Sequence, residues 1–117
     1  MTKSKPAGAK YRLFFMPAAL DEWRALDGSI KELLRKLLHK RLDNPHVLGG
    51  ALRGELTGCY KIKLLKQGVR LVYSVEDAVL VVMVLAIDKR AEGLVYRSAL
   101  ARVAEKANEI NKKNASD

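Results

Sequence analysis

The run VLVVMVLAI at residues 79–87 limits the possible folds more than any other part of the chain. Its nine apolar residues fall well short of the roughly 20 that a membrane-spanning helix needs. A β-strand presents its side chains alternately to two faces, so a strand that is apolar throughout must be covered on both. We therefore predict a central strand at Val79–Ile87 with helices packed against its sheet.

Three further segments have the composition of short strands. Tyr11–Phe15 reads YRLFF, and the runs Cys59–Leu65 and Val69–Val75 flank a Gln67-Gly68 turn. The segment from His46 to Gly58 contains four glycines and has no clear hydrophobic period. Such a composition is typical of a loop.

Two amphipathic helices are predicted between the first strand and this loop. Pro17 is favourable at a helix start, and Trp23 belongs to a set of apolar residues that recur at helical spacing after it. The second helix begins at a capping box, in which Ser29 and Glu32 each bind the other's backbone amide, and Asn44-Pro45 ends it. Its apolar stripe consists of Ile30, Leu33, Leu34, Leu37, Leu38 and Leu42.

A last helix is expected from Glu92 to about Ala107, which completes the order β-α-α-β-β-β-α. This order predicts an α+β fold in which a helical hairpin packs on a mainly antiparallel four-stranded sheet, followed by a C-terminal helix. We expect a flexible basic arm at residues 1–10, one domain at residues 11–107 and a polar tail at residues 108–117.

The charge of the chain points to an anionic partner. The 22 lysines and arginines exceed the 13 acidic residues, giving a formal charge of +9. Residues 1–16 carry four basic residues and no acidic one, whereas residues 17–45 have an excess of only one positive charge. Residues 59–102 have an excess of four. A positive charge concentrated in this way is typical of proteins that bind nucleic acid or an acidic protein.

Several kinds of site and location are disfavoured. Cys59 is the single cysteine, which excludes an internal disulfide, and it has no partners at the spacing of a metal site. No apolar segment is long enough to span a membrane, and the chain does not open with a signal-peptide pattern. We therefore expect a cytoplasmic protein without a metal, a cofactor or a membrane partner.

The number of residues in the hairpin turn decides whether Arg70 lies on the same face as Lys61 and Lys63. A two-residue turn at Gln67-Gly68 pairs Lys63 with Val72, and it places Leu65 on the same face. The opposite face then carries Ile62, Leu64, Leu71 and Tyr73, and the cationic face carries Lys61, Lys63 and Arg70. A three-residue turn would instead set Arg70 against the core. Because the buried face determines register, we predict the two-residue turn.

Such a cationic face has two interpretations. It could be a solvated sheet face whose lysines discourage pairing with another sheet. It could also be a binding site for a polyanion. Lys89-Arg90 directly follow the central strand and Tyr96 lies on the next helix, and both features favour the second interpretation.

The stretches LDEWRAL, LRGELTGCYKIKL, GVRLVYSVED, DKR and VYRSAL resemble, in this order and spacing, the RelE toxins of bacterial and archaeal toxin–antitoxin systems, within the RelE/ParE superfamily. The resemblance extends from about Lys10 to Val103. It implies a RelE-like fold related to microbial ribonucleases, and a ribosome-dependent endoribonuclease that cuts messenger RNA in the ribosomal A site. It also implies a monomer when free and a hetero-oligomer with a RelB-like antitoxin. The basic arm before Tyr11 and the extension after Val103 are longer than is usual in the family.

The resemblance places the functional residues of the family on positions of matching type. These positions are Lys61, Lys63, Arg70, Arg90 and Tyr96. The implied reaction is attack of the RNA 2′-OH on the adjacent phosphate, which requires alignment, charge stabilisation and proton transfer.

Each of these residues has a chemically suitable role. Lys61 and Arg70 would stabilise the phosphorane. Lys63 would act as general base, because neighbouring cations and partial burial disfavour its charged form. Arg90 would assist the leaving group, and Tyr96 would stack on a base or orient the nucleotide, with a general-base role left open.

Other polar residues are expected to bind or to be solvated. The residues expected to contact RNA or the ribosome are Arg53, Lys66, Lys89, Lys10 and Arg12. His39 and His46 have no partner histidine at ligand or acid–base spacing and receive no role. Asp21-Glu22 and Glu76-Asp77 have the pattern of a solvated helix start and a hairpin turn.

Two other functions remain open. A ParE-like toxin would have the same fold and would act on DNA gyrase without this set of lysine, arginine and tyrosine. A basic domain without catalysis would bind RNA or the ribosome.

Overall fold

The computed structural model describes residues 10–89 and 92–115. The order of elements confirms the α+β fold, with the helical hairpin between the first two strands. The strands are β1 (Arg12–Phe15), β2 (Cys59–Leu64), β3 (Val69–Glu76) and β4 (Val81–Asp88). The helices are α1 (Pro17–Arg24), α2 (Gly28–Asp43), α3 (Glu92–Val103) and α4 (Lys106–Ala115). None of the helices in the described part of the chain is long and apolar enough to cross a membrane.

The four strands form one sheet in the order β1-β4-β3-β2. β1 runs parallel to β4, whereas the β2–β3 and β3–β4 pairs are antiparallel. Every residue from Val81 to Ile87 is buried. The apolar run thus forms the central strand that its sequence predicted, although the strand begins two residues later than expected.

Helices cover the two faces of this sheet. On one face, Arg41 of α2 donates a hydrogen bond to the Tyr73 hydroxyl of β3. On the other face, Lys106 at the start of α4 pairs with Glu76 of β3 at 2.9 Å. The helix before it, α3, packs against β4 and β3. The core therefore lies in two layers, one on each side of β4 and β3.

The start of α2 differs from its prediction. The helix begins at Gly28 with Asp27 as its N-cap, and the cap makes no side-chain hydrogen bond. The Lys31 amide donates to the Asp27 carbonyl at 2.9 Å, so the first helical bond forms before Ser29 can act as a cap. The capping box of Ser29 and Glu32 is therefore a wrong prediction. The link from α1 comprises only residues 25–27 and contains the buried Leu26.

The C-terminal segment contains two helices instead of one. α3 ends at Val103, short of the predicted Ala107, and the residues expected to form a polar tail from position 108 are helical as far as Ala115. Ile110 is buried in the core. The burial of this side chain favours a helix in a segment whose composition is otherwise polar.

The turn of the β2–β3 hairpin is also longer than predicted. Leu64 pairs with Val69, so the turn comprises four residues, 65–68, and Gly68 adopts a positive φ of 69°. Lys63 consequently lies opposite Arg70 instead of Val72. The predicted two-residue turn is wrong, but the pairing differs by two positions, and each residue keeps its face. Leu65 lies in the turn and is 82% exposed, so it is not part of the cationic face.

The outer edge of β4 is completed by side chains where β1 ends. The last strand-like bond on this edge joins the Met16 amide to the Val84 carbonyl at 2.9 Å. Beyond it, the Leu85 carbonyl accepts a hydrogen bond from Arg102, and the Ile87 amide donates to Glu22. The Glu22 side chain is 29% exposed. The prediction that Asp21-Glu22 form a solvated helix start is therefore wrong for Glu22.

Candidate functional site

Three basic side chains share one face of the β2–β3 hairpin, and we call this set (Lys61, Lys63 and Arg70) the cationic face. Lys63 lies directly opposite Arg70, and Lys61 lies opposite Val72. All three side chains are half-buried, while Val72 is fully buried. The sheet therefore holds three cations on rigid backbone beside an apolar surface, which limits their access to water.

The cationic face continues onto the end of β4. Arg70 lies opposite Asp88, and the exposed Lys89 follows directly. A Cβ atom at Gly68 would lie 3.9 Å from the Lys89 carbonyl, so the turn that carries the exposed Lys66 is next to Lys89. The predicted contacts Lys66 and Lys89 are thus brought to the cationic face.

Asp88 received no role from the sequence, although it lies opposite Arg70. A carboxylate at this position can orient a guanidinium, and it offsets part of the local positive charge. The register between β3 and β4 is interrupted by a bulge at Val72/Tyr73. Because a bulge cannot be placed from an alternation of apolar residues, the pairing of Asp88 was not predictable. The one available signal is the position of Asp88 directly before Lys89-Arg90.

The two remaining predicted catalytic residues lie on or before α3. Arg90 lies outside the described residues. Tyr96 is in the second turn of α3, is half-buried and packs against the core. Only residues 89–91 separate β4 from α3, so this helix begins at the end of the sheet where Asp88 lies. α3 covers the face that carries the lysines, because Lys106 just beyond it binds Glu76 on that side.

The other predicted contacts lie elsewhere. Arg53 is exposed in the loop before β2. Arg12 pairs with Val81 at the opposite end of β4 from Asp88, a separation of about 23 Å at about 3.3 Å per residue. Lys10 lies at the same end and forms an ion pair with Asp43 at 3.9 Å. The structure therefore does not bring Lys10 and Arg12 to the cationic face.

A second polar cluster occupies the opposite face of the hairpin, and we call this set (Tyr11, His46, Tyr60, Tyr73 and Asp77) the tyrosine network. Asp77 Oδ1 accepts a hydrogen bond from the Tyr11 hydroxyl at 2.5 Å and lies 2.8 Å from His46 Nε2. His46 Nδ1 lies 2.9 Å from the Tyr60 hydroxyl. Asp77 begins the connection between β3 and β4, as the predicted hairpin turn requires. The contacts of His46 and Asp77 were not predicted, because residues distant in sequence meet here.

The network has electrostatic consequences for its tyrosines. Burial, together with the hydrogen bond to Asp77, raises the pKa of Tyr11 to about 12. Burial also raises the pKa of Tyr60 and of Tyr73, and Arg41 partly opposes this effect at Tyr73. Each hydroxyl therefore stays protonated at neutral pH and is available to donate a hydrogen bond within the network.

Among residues 10–89 and 92–115, no group of three or more His, Cys, Asp or Glu side chains is arranged to hold a metal ion. Cys59 is buried, and burial raises the pKa of its thiol.

Comparison with known proteins identifies the family. Residues 13–94 match the model of the ParE toxin of the type II toxin–antitoxin system parDE. This chain belongs to the RelE/ParE toxin family. The mRNA interferase toxin RelE of Escherichia coli K12 is 43% identical over 93 residues, which are 80% of this chain and 97% of that protein.

Solved structures of other RelE/ParE toxins have the same fold. A mutant of E. coli RelE in the free state matches with a TM-score of 0.74 and 41% identity, over 81% of this chain and 99% of that one. The E. coli RelBE toxin–antitoxin complex matches with a TM-score of 0.67 and 43% identity, over 70% of this chain and 99% of the matched chain. These matches confirm the family and the fold that the sequence motifs predicted.

Proposed function

We propose that this protein is the toxin of a toxin–antitoxin pair and that it cleaves messenger RNA in the ribosomal A site. The proposal rests on 43% identity to an mRNA interferase over 97% of that enzyme's length. The cationic face supports it, because Lys63 and Arg70 lie directly opposite each other and can form charge-assisted hydrogen bonds to one phosphate.

The reaction we propose is attack of the RNA 2′-OH on the adjacent phosphate. The bond from the 2′ oxygen to phosphorus forms as the bond to the 5′ oxygen breaks, leaving a 2′,3′-cyclic phosphate and a 5′-OH. Lys61 and Arg70 stabilise the negative charge of the phosphorane, and Arg70 can bind two phosphate oxygens at once. Lys63 removes the 2′-OH proton.

Two residues complete the proposed site. Arg90 stabilises the departing 5′ oxygen, which takes up a proton from water to become the 5′-OH. Tyr96 stacks on a base or orients the reacting nucleotide. Lys66 and Lys89 bind RNA phosphates near this site, and Arg53 binds RNA from the loop before β2. Lys10 and Arg12 lie at the other end of the sheet, where they would contact a separate part of the ribosome.

The proposed biological setting follows from the relatives. E. coli RelE forms a complex with its antitoxin RelB, and we propose a RelB-like antitoxin for this chain. The proposed substrate is ribosome-bound message, so the protein would act in the cytoplasm.

The test is a translation reaction with the purified full-length protein, in which RNA ends are mapped at single-nucleotide resolution. We expect cuts in message at the A-site codon, and no cuts with Lys63→Ala. Lys36→Ala is the matched control, because Lys36 is an exposed lysine on α2, and it should cut like the wild type.

Other outcomes would replace the proposal. Intact message together with inhibited DNA gyrase would show a ParE-like activity, which the name of the matching family model makes the main rival. Ribosome binding without cleavage would show a binding domain. Wild-type cleavage by Lys63→Ala would remove Lys63 from the site.

A further inference from the structure

On the outer edge of β4, two side chains form hydrogen bonds of the kind that a neighbouring strand would form. β1 pairs with β4 only as far as Val84. Arg102 Nη1 then donates to the Leu85 carbonyl at 2.8 Å, and the Ile87 amide donates to Glu22 Oε1 at 2.9 Å. The cationic side chain thus satisfies a backbone carbonyl of the strand, and the anionic side chain satisfies a backbone amide. This avoids the cost of leaving the two backbone groups unpaired.

The two side chains also bind each other. Arg102 donates through Nη1 to Glu22 Oε1 at 2.9 Å and through Nη2 to Glu22 Oε2 at 3.0 Å. The side chains are 21% and 29% exposed. A two-bond contact between a guanidinium and a carboxylate fixes both orientation and distance. Glu22 is on α1 and Arg102 is on α3, so the pair joins both helices to one short stretch of β4.

That stretch leads directly into the proposed site. Ile87 precedes Asp88, which lies opposite Arg70. Arg102 lies six residues after Tyr96 on the same helix. We propose that Glu22 and Arg102 are positioning residues. They fix the end of β4, where Asp88 lies opposite Arg70, and the rotation of α3, which carries Tyr96, so that Arg70 and Tyr96 act on the same RNA nucleotide. This inference rests on the proposed function.

A second ion pair provides a matched comparison. Glu76 and Lys106 are 2.9 Å apart, with side chains that are 24% and 26% exposed. They join β3 to α4 at the other end of the sheet, where Glu76 pairs with Val81. Their burial and length resemble those of the Glu22–Arg102 pair, but they do not adjoin the strand end near Arg70. Substitutions in the two pairs can therefore be compared, which distinguishes a general effect on stability from an effect on the proposed site.

The test uses the full-length protein and follows one round of cleavage by toxin already bound to programmed ribosomes. Glu22→Ala and Arg102→Ala should each lower the cleavage rate of bound toxin by about 10- to 100-fold, because small displacements of catalytic groups have effects of this size. Glu76→Ala should leave that rate unchanged. The double variant of Glu22 and Arg102 should be no slower than the slower single variant, since residues that act as one unit are not additive.

Two further measurements distinguish positioning from stability. Hydrogen exchange at the Ile87 amide should become at least about tenfold faster in Glu22→Ala and remain unchanged in Glu76→Ala, because only the first variant removes its acceptor. Glu22→Gln retains an oxygen acceptor for that amide, and it should recover part of the cleavage rate. A purely structural role would lower the amount of folded toxin without altering the rate of the bound molecules.

Several outcomes would overturn the inference. One is a wild-type cleavage rate in folded, ribosome-bound Glu22→Ala. Another is an equal loss of rate in Glu76→Ala. If Glu22→Ala does not fold, Glu22→Gln and Arg102→Lys decide the question, and a wild-type rate in both contradicts the positioning role. Failure of the proposed function is distinct, because the wild-type protein would then leave message intact in the same assay.

Discussion

The two faces of the β2–β3 hairpin differ sharply, although neighbouring residues of the chain alternate between them. Tyr60 and Tyr73 stack with ring centroids 5.6 Å apart on one face, and hydrogen bonds connect them to a loop and a helix. On the other face, Lys63 lies directly opposite Arg70. Like charges at such a position destabilise a sheet. Asp88, which lies opposite Arg70 on β4, offsets part of this repulsion. The hairpin thus concentrates cations on one face, and the tyrosine network supplies stability on the other.

This difference predicts that the two faces respond differently to substitution. Variants on the cationic face should lose activity and retain stability. Variants in the tyrosine network should lose stability and retain the cleavage rate of each folded molecule.

The largest effect is expected for Arg70→Ala on the cationic face. The cleavage rate of bound toxin should fall by about 10²- to 10³-fold, the cost of removing one group that stabilises transition-state charge. The free energy of unfolding should change by less than about 1 kcal/mol, because loss of the cation removes both its repulsion from Lys63 and its attraction to Asp88, and these two effects oppose each other. Single-turnover cleavage and urea unfolding measure the two quantities.

Lys36→Ala on the exposed surface of α2 is the control for this variant, with no expected change in either quantity. A large loss of stability in Arg70→Ala with a normal cleavage rate would reverse the roles of the two faces.

The next largest effect is expected for Tyr73→Phe in the tyrosine network. The Tyr73 side chain is fully buried, and its hydroxyl donates to the Pro45 carbonyl at 2.8 Å and accepts from Arg41 at 2.7 Å. Loss of a buried hydroxyl with two partners should lower the free energy of unfolding by about 1–3 kcal/mol.

Tyr60→Phe is the matched control, since its hydroxyl bonds to the exposed His46, and it should cost less than about 1 kcal/mol. Urea unfolding measures both variants. The comparison fails if Tyr73→Phe slows cleavage by bound, folded toxin.

The sequence predicted those features that depend on local periodicity. The apolar run of β4 required a central strand. The alternation in β2 and β3 assigned Lys61, Lys63 and Arg70 to one face, and a shift of the pairing by two positions leaves that assignment unchanged. The turn length was not predictable, because the two- and four-residue turns bury the same side chains. The hydrophobic pattern therefore determined the face of each cation but not its partner.

The features that were missed depend on contacts between distant residues. Glu22 and Arg102 are 80 positions apart, and His46 and Asp77 are 31 apart. A carboxylate near a helix start is usually solvated, so only the folded chain shows that Glu22 binds the edge of β4. In the same way, α4 forms because Ile110 is buried, whereas its own composition indicates a polar tail.

A smaller effect is expected where the loop before β2 approaches the backbone of Lys61, a residue of the cationic face. A Cβ atom at Gly50 would lie 2.8 Å from the Lys61 carbonyl oxygen, whereas one at Gly49 would meet nothing within 4 Å. Gly50→Ala should therefore displace the backbone of Lys61. Overpacking costs about 1–3 kcal/mol, and we expect the free energy of unfolding to fall by an amount at the lower end of this range. Cleavage should also become slower.

Gly49→Ala is the matched control and should leave stability and cleavage close to those of the wild type. Equal effects of the two substitutions would mean that the loop tolerates both side chains by moving away from β2. Thermal unfolding and single-turnover cleavage distinguish these cases.

The smallest effect concerns the response of the tyrosine network to alkaline pH. The pKa of Tyr11 is raised to about 12 in the folded protein, above its ordinary value of about 10. The unfolded chain therefore releases this proton more readily. The stabilisation from Tyr11 is fully present below about pH 10 and is lost as the pH rises towards 12. Urea unfolding of the wild type and of Tyr11→Phe should differ most at pH 9, and the difference should shrink by pH 11. A constant difference would show that the bond to Asp77 does not favour the protonated hydroxyl.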